Sequence, residues 1–263
     1  ETIDTIFHFP ANGDLKNVAV THNSEYALAC FDDLNQTIII DLNTLEIVAN
    51  VTGGGHTIRI TPDDQFAYVS NIAGTDRINI IELNGASSSN VGSVITGQMG
   101  STFAHYGIFS DIRIDPSGNY LAAAVSFNDQ VKIIDLGTNT VVQTLTGFDF
   151  PLQLAFNSAG DKLAVTNYYG NTVSIIQFNG DESSVQGTYA CGEYPARLKY
   201  NFFDNYFYVC NINDNNIVKI NPETGVVEGT VSLPDSPVKI DFDADGNYIA
   251  LYSGSVFGIE CST

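Results

Sequence analysis

The sequence predicts an all-β chain built from repeated four-stranded antiparallel units, and three observations support this prediction. The 263 residues include 16 Phe and 13 Tyr, and aromatic residues favour strands. No apolar stripe of useful length follows the 3.6-residue period of a helix. A phrase of short apolar segments separated by turns recurs at intervals of 40 to 54 residues. Four short strands at this spacing are typical of one blade of a β-propeller.

Each copy of the phrase opens with two short strands joined by a polar turn. The six copies start at Asn17, Thr57, Asp111, Gln153, Arg197 and Lys239. A third strand follows in each of the first five copies, as in VKIIDL from Val131, and a fourth follows that, as in VVQTLT from Val141. Gly-containing turns such as the one at Gly118 mark tight reversals between the first two strands.

The sixth copy ends before a fourth strand, and the other end of the chain offers a replacement. The segment Thr2–Pro10 reads TIDTIFHFP and matches VEGTVSLP at Val227–Pro234, which is the fourth strand of the fifth copy. We therefore expect residues 2–10 to supply the outer strand of the last unit, which would remove an open sheet edge. The prediction is a six-bladed β-propeller that forms a single domain over residues 1–263.

Three of the second strands carry a further signature. They end in YVSN at Tyr68–Asn71, AVTN at Ala164–Asn167 and YVCN at Tyr208–Asn211. With flanking phrases such as DPSGNY and INPETGVV, the chain resembles the YVTN-type propeller repeat proteins over essentially its whole length. Many members of that family have seven blades, whereas six are counted here. The family includes surface-layer proteins, binding proteins and lactonase-like enzymes, so the resemblance implies a fold without selecting a function.

Charge restricts the partners of the chain. It contains 10 Lys and Arg against 30 Asp and Glu, a formal net charge of −20. Such a surface repels nucleic acid and anionic lipid. No apolar run approaches the roughly 20 residues of a membrane span, so no membrane insertion is expected. The acidity, the few lysines and the many Asn, Ser and Thr favour an extracellular or periplasmic location, with a signal peptide already removed.

In a propeller, two sets of loops share one face. We call the segments that lead into each first strand the inter-sheet loops, and those that join second to third strands the central loops. We expect a ligand to bind on this face. The longest inter-sheet loop, Gly97–Ser110, carries Met99, Phe103, His105 and Tyr106. Its apolar character predicts either a lid that grips a ligand or a plug that packs over the channel.

Several side chains on or near these loops are candidate ligand-binding residues. They are Arg59, Phe103, Arg113, Phe148, Tyr168, Tyr169, Glu193, Tyr194, Arg197 and Lys239. The tyrosines could stack on a sugar ring. The Arg and Lys residues of the first strands, which include Lys16 and Lys199, could bind an anion. They could equally pair with nearby carboxylates. The carboxylates in question are Asp14, Asp111, Asp115 and Asp241.

Candidate catalytic residues are His56, His105 and Tyr106, near Arg59 and Arg113. A base there could abstract a proton beside a carboxylate or help to open a lactone. No nucleophile elbow or phosphate-binding loop is present in the sequence.

No metal or other cofactor is predicted, although two clusters of oxygen ligands leave calcium open. They are Asp32, Asp33 and Asn35, and the run Asn213–Asn215. Ordinary turns explain the same residues. Cys30, Cys191, Cys210 and Cys261 form no CxxC pair and are interpreted as small buried side chains. A disulfide between Cys191 and Cys210 is the alternative, because both are expected on one face.

These observations favour an extracellular binding or interaction module whose loop face holds a glycan, a small anionic ligand or a protein partner. The first alternative is an enzyme, a lyase or lactonase acting on an anionic sugar or sugar acid. The second alternative is a structural subunit of a surface layer or filament.

Overall fold

A computed structural model describes residues 13–71, 77–99, 101–102, 108–243, 245–253 and 258–261. Side chains are described for all of these except residues 101–102, 108–109, 249, 253 and 258–261. The described residues are β-strands and turns, with three-residue 3-10 turns and no α-helix. Packing divides the chain into two compact units, Glu1–Ile95 and Thr96–Thr263.

The first unit contains two antiparallel sheets of four strands, each in the order of the chain. The first sheet comprises β1 (Leu15–Val20), β2 (Tyr26–Phe31), β3 (Gln36–Asp41) and β4 (Glu46–Thr52). The second comprises β5 (Thr57–Ile60), β6 (Phe66–Asn71), β7 (Arg77–Glu82) and β8 (Ser89–Ile95).

The second unit opens with a two-stranded ribbon, β9 (Ser101–Thr102) and β10 (Ile108–Phe109), within the long inter-sheet loop. Three four-stranded antiparallel sheets and a three-stranded sheet follow. The third sheet is β11 (Ile112–Ile114), β12 (Tyr120–Val125), β13 (Gln130–Asp135) and β14 (Thr140–Thr146). The fourth is β15 (Pro151–Phe156), β16 (Lys162–Asn167), β17 (Thr172–Gln177) and β18 (Ser184–Ala190). The fifth is β19 (Pro195–Asn201), β20 (Tyr206–Asn211), β21 (Asn216–Ile220) and β22 (Val227–Ser232). The last is β23 (Ser236–Phe242), β24 (Tyr248–Ser253) and β25 (Gly258–Cys261).

The all-β class and the repeated four-stranded antiparallel sheets predicted from the sequence are confirmed. The segment Thr2–Pro10, predicted to close the last sheet, lies outside the described residues.

The turns between first and second strands repeat one design. One residue of each turn has a positive φ, which Gly, Asn and Asp adopt most readily. These residues are Ser24, Asp64, Gly118, Gly160, Asn205 and Gly246. A polar side chain at the end of the first strand accepts hydrogen bonds from the turn. Asp115, for example, accepts from the Ser117 and Tyr120 amides at 3.1 and 2.7 Å. Its carboxylate therefore stabilises the turn, rather than pairing with a cation as the sequence allowed.

The hydrophobic cores lie between consecutive sheets. One cluster joins Ala122 and Ile133 of the third sheet to Leu154 and Val165 of the fourth, and another joins the fourth sheet to Phe207 of the fifth. Middle strands are therefore almost fully buried, whereas fourth strands alternate between exposed and half-buried residues. Stacked sheets that share cores in this way hold their loops at fixed positions along common edges.

Candidate functional site

A repeated hydrogen bond fixes the inter-sheet loops. The last residue of each described central loop is an Asn or Asp with positive φ, immediately before the third strand. Its side-chain oxygen accepts a hydrogen bond from the following inter-sheet loop or, for Asn215, from the first residue of the strand after that loop. The pairs are Asn35 with the Gly54 amide at 3.2 Å, Asp129 with the Phe150 amide at 2.8 Å, Asn171 with the Tyr194 amide at 3.0 Å and Asn215 with the Ser236 hydroxyl at 3.2 Å. Two of these residues, Asn35 and Asn215, belong to the groups considered for calcium.

Five aromatic rings meet on this loop face of the second unit, and we call them the aromatic platform. They are Phe127, Phe150, Tyr168, Tyr169 and Tyr194. Tyr168 and Tyr194 stack with centroids 4.9 Å apart and planes at 22°. The ring centroids of Tyr169 and Phe150 are 4.9 Å apart. Phe150 also contacts Phe127 edge-on, with the ring centroids 5.2 Å apart. Contacts at these distances and angles are favourable for aromatic pairs.

Burial divides the platform into a support and an exposed surface. Tyr168 and Phe150 are 1% and 6% exposed and form the support. Phe127 and Tyr169 are 58% and 55% exposed, and Tyr194 is half-buried. Because large aromatic side chains are costly to leave in water, the exposed rings form a surface suited to the flat apolar face of a ligand.

The backbone of the platform is strained. Phe150 and Tyr194 each precede a proline and have φ values of 55°. A bulky residue in this region costs about 1–3 kcal/mol and persists only where its surroundings impose it. The hydrogen bonds that the Phe150 and Tyr194 backbone amides donate to Asp129 and Asn171, together with the ring stacking, impose it here. Strain of this kind clusters at ligand-binding sites.

Polar groups border the platform. Glu193, beside Tyr194, is exposed, and its carboxylate accepts a hydrogen bond from the side-chain Nδ2 group of Asn213. Its backbone amide donates to the Asp214 carboxylate at 2.9 Å. Asp149, next to Phe150, is also exposed. The border therefore offers oxygen acceptors and an amide, which can hydrogen-bond hydroxyl groups at the edge of a stacked ring.

Three of the predicted ligand-binding cations of the second unit bond to carboxylates or backbone carbonyls of the protein itself. Arg113 Nε donates to Asp111 Oδ2 at 2.8 Å and to the Leu154 carbonyl at 3.0 Å. Arg197 Nε donates to the Val238 carbonyl at 3.0 Å. Lys199 pairs with Asp241, and Lys16 of the first unit pairs with Asp14 at 2.5 Å. Internal pairing, one of the two alternatives drawn from the sequence, is therefore present.

Two other predicted ligand-binding residues differ in burial. Phe148 is 7% exposed and packs into the core between the third and fourth sheets, with Leu145 and Leu154. Lys239 on β23 is exposed. Phe103, His105 and Tyr106 lie outside the described residues.

The candidates of the first unit are enclosed. His56 is 6% exposed, and its Nε2 lies 3.6 Å from Asp32 Oδ2. Arg59 is half-buried and donates through Nη1 to the Ile58 carbonyl at 2.7 Å. Burial lowers the pKa of the His56 imidazole below its usual value, and the Asp32 carboxylate partly offsets this effect. His56 is therefore an uncharged, enclosed side chain near neutral pH.

This lowered pKa predicts an acid-side loss of stability. Below the unfolded-state pKa of about 6.5, the unfolded chain binds a proton at His56 more readily than the folded chain does. The contribution of neutral His56 to the free energy of unfolding is therefore present at higher pH and is lost as the pH falls toward the folded-state pKa. His56→Gln should lose less stability between about pH 7.5 and about pH 5 than the natural protein, as measured by urea unfolding at each pH. Equal losses would contradict this assignment.

The described cysteines are buried and free. They are Cys30, Cys191 and Cys210, so the disulfide considered between Cys191 and Cys210 is not formed. Burial raises the pKa of each thiol to about 12, which leaves them unreactive. The Cys261 side chain lies outside the described residues. Within the described part of the chain, no three His, Cys, Asp or Glu side chains gather as a metal site would require. No described helix is long and apolar enough to cross a membrane.

Several residues that shape the site are not predicted from the sequence. Phe127 and Phe150 are not among the ligand-binding residues predicted from the sequence, and neither are Asp129 and Asn171, whose side chains fix the inter-sheet loops. One signal was available: an Asn or Asp stands directly before the third strand in FNDQ and YGNT.

Comparison with known proteins adds information on the fold. No family model and no curated protein matches the sequence. The fold is similar to that of hydrazine synthase from Kuenenia stuttgartiensis, with 15% identity, a TM-score of 0.74, and coverage of 94% of this chain and 83% of that chain. It is also similar to a "putative 6-phosphogluconolactonase" from Bacteroides fragilis, with 14% identity, a TM-score of 0.72, and coverage of 93% and 82%. At these identities the likeness concerns the fold alone, and it is consistent with a propeller.

Proposed function

We propose that this chain is an extracellular binding module whose aromatic platform receives a sugar ring of a neutral glycan. The observation that carries the proposal is the exposure of Phe127 and Tyr169 beside the strained residue Tyr194. A sugar ring presents C–H groups on its faces and hydroxyl groups at its edge. The aromatic rings of the platform can stack on the faces of the sugar, and the carboxylates of Glu193 and Asp149 can accept hydrogen bonds from its hydroxyl groups.

Charge favours a neutral glycan over an acidic one. The platform is bordered by the carboxylates of Asp149, Glu193 and Asp214, and the whole chain has a net charge of −20. A uronic acid or a phosphorylated sugar would meet like charge there, which weakens binding and slows association.

The first experiment is calorimetric titration of the protein with neutral gluco- and manno-oligosaccharides and with uronate oligosaccharides. We expect a neutral oligosaccharide to bind, and Tyr169→Ser to weaken that binding about 10-fold through loss of one stacking ring. Phe202→Ser is the matched control, since Phe202 is a similarly exposed ring, 60% accessible, at the opposite ends of the strands. Equal affinity of the natural protein and Tyr169→Ser would refute the platform as the binding surface.

A second candidate is a sugar lactonase, favoured by the likeness in fold to the "putative 6-phosphogluconolactonase". The candidate residues His105 and Tyr106 would have to provide its chemistry, since His56 is enclosed. The same preparation should be assayed with sugar lactones. Turnover that disappears in His105→Ala would favour the enzyme over the binding module.

We also infer that the sheets are the blades of one six-bladed propeller of the YVTN type, with Thr2–Pro10 as the missing strand of the last sheet. The last sheet has three strands among the described residues, whereas the other repeats each have four. The match between residues 2–10 and residues 227–234 supports this placement.

A further inference from the structure

A pocket of about 390 Å³ lies at the opposite ends of the strands that carry the platform loops. It forms where β11, β15 and β19 run into their turns, and this size falls in the range of small-molecule sites. Its walls combine three aromatic rings, Phe156, Tyr200 and Phe202, with the cations Arg113 and Lys199. The neutral-glycan site makes no use of any of these residues.

Arg113 has capacity to bind an anion in this pocket. Its Nε is occupied by Asp111 Oδ2 and the Leu154 carbonyl. Among the described residues, neither of its two Nη groups has a hydrogen-bond partner, and the side chain is 31% exposed. Asp111 and Leu154 hold the guanidinium in one orientation. An oriented guanidinium is well suited to grip a carboxylate through its remaining N–H groups.

Lys199 provides a second, weaker cation. It pairs with Asp241 and is 37% exposed at its side chain. Each of the two pocket cations therefore already has one carboxylate partner. The two carboxylates offset part of the positive charge of Arg113 and Lys199. The pocket therefore suits a ligand with one negative charge better than a dianion, whose second charge would be repelled by Asp111 and Asp241.

The aromatic walls identify the rest of the ligand. Phe202 is 60% exposed at the pocket rim, and Phe156 is half-buried, held edge-on against Phe178 at 4.8 Å. A flat apolar ring would cover these surfaces and exclude water from the Arg113 guanidinium. We propose that this pocket binds small aryl carboxylates, with the carboxylate on Arg113 and the ring against Phe156 and Phe202.

The test is a titration followed by NMR or calorimetry, with benzoate as the probe and benzyl alcohol as its uncharged counterpart. We expect benzoate to bind at least about 10-fold more tightly than benzyl alcohol, because a charge-assisted hydrogen bond is lost with the carboxylate. Arg113→Gln should weaken benzoate binding by about the same factor, and Arg113→Lys by less, since the ammonium keeps the charge without the planar donors.

Arg113 also donates to the Leu154 carbonyl, so the melting temperature of each Arg113 variant must be recorded. Phe202→Ser avoids this complication, because its exposed ring contributes little to the core. It should weaken benzoate binding, whereas Val185→Ser, at an exposed position of β18 outside both sites, should leave benzoate binding unchanged. Benzoate affinity that is equal in the natural protein, Arg113→Gln and Phe202→Ser would overturn the proposal. Glycan binding would be unaffected by that result, since it depends on Tyr169 rather than on Arg113.

Discussion

Gly54→Ala is expected to lower the free energy of unfolding of the first unit by more than about 3 kcal/mol. A Cβ atom at this position would lie 1.9 Å from the Phe31 carbonyl oxygen and 2.5 Å from the Gln36 amide nitrogen. Both are backbone atoms of the β2–β3 hairpin, so neither can move aside as the end of a flexible side chain could. Measurement of urea unfolding for the natural and substituted proteins tests the prediction.

The cost is large because the loop around Gly54 has several fixed contacts. The Gly54 amide donates to Asn35 Oδ1 at 3.2 Å, and its carbonyl accepts from Asn71 and Asn79 at 3.3 and 3.4 Å. Any shift that relieves the clash breaks some of these buried hydrogen bonds.

Gly229→Ala is the matched control for this substitution. The nearest atom to its added Cβ would be Lys219 Cβ at 3.6 Å, an ordinary contact. The control should change stability by less than about 1 kcal/mol. If Gly54→Ala proves as mild as Gly229→Ala, the close approach of this loop to the β2–β3 hairpin is not present in solution.

The sheets could be predicted from the sequence because they depend on local signals that repeat. Alternating apolar segments and turn residues predict the same strands and turns in every copy, and Asp115 and Gly118 are the turn residues of one copy. Agreement among several copies compensates for the weakness of each short signal.

The sites were less predictable because their contacts join residues that are about 20 positions apart in the platform and 41 apart for Arg113 and Leu154. Whether Arg113 binds a ligand or a carboxylate depends on its side-chain rotamer and on the Leu154 carbonyl, which belongs to the next sheet. Composition and spacing do not contain that information. The predicted tyrosines Tyr169 and Tyr194 lie in the platform, whereas Arg113 lines the pocket at the opposite strand ends.

The asparagines of the YVTN-like segments show how one residue type takes different partners. Asn71 and Asn211 donate to carbonyls of the preceding inter-sheet loops, at Gly54 and Cys191. Asn167 donates instead to the Thr172 and Ser174 hydroxyls, each at 2.9 Å. Asn211 also donates to Asn216 Oδ1 at the start of the third strand, so it supports both the loop and that strand. A motif that the sequence presents as uniform therefore takes different sets of partners in different sheets.

Asn211→Asp is expected to be the more damaging of two substitutions at a fully buried position. The Asn211 Nδ2 group donates to the Cys191 carbonyl at 2.7 Å and to Asn216 Oδ1 at 2.8 Å. Asn211→Ala removes these hydrogen bonds at a cost of about 1–3 kcal/mol. Asn211→Asp places an ionised carboxylate against the same two acceptor oxygens, and a buried charge without a partner costs about 3–5 kcal/mol.

The free energies of unfolding of the two variants should differ by an amount that depends on pH. The direction of this dependence follows from the coupling between proton binding and folding. Burial beside oxygen acceptors raises the folded-state pKa of the introduced Asp above its unfolded value of about 3.9, so the folded chain holds its proton longer. Stability of Asn211→Asp should therefore be greatest below about pH 4 and fall as the pH rises through the folded-state pKa. Protonated Asp can donate one hydrogen bond to Cys191, so at low pH this variant should match or exceed Asn211→Ala. A constant stability difference between the two variants from about pH 4 to about pH 8 would mean that water reaches position 211 and solvates the carboxylate.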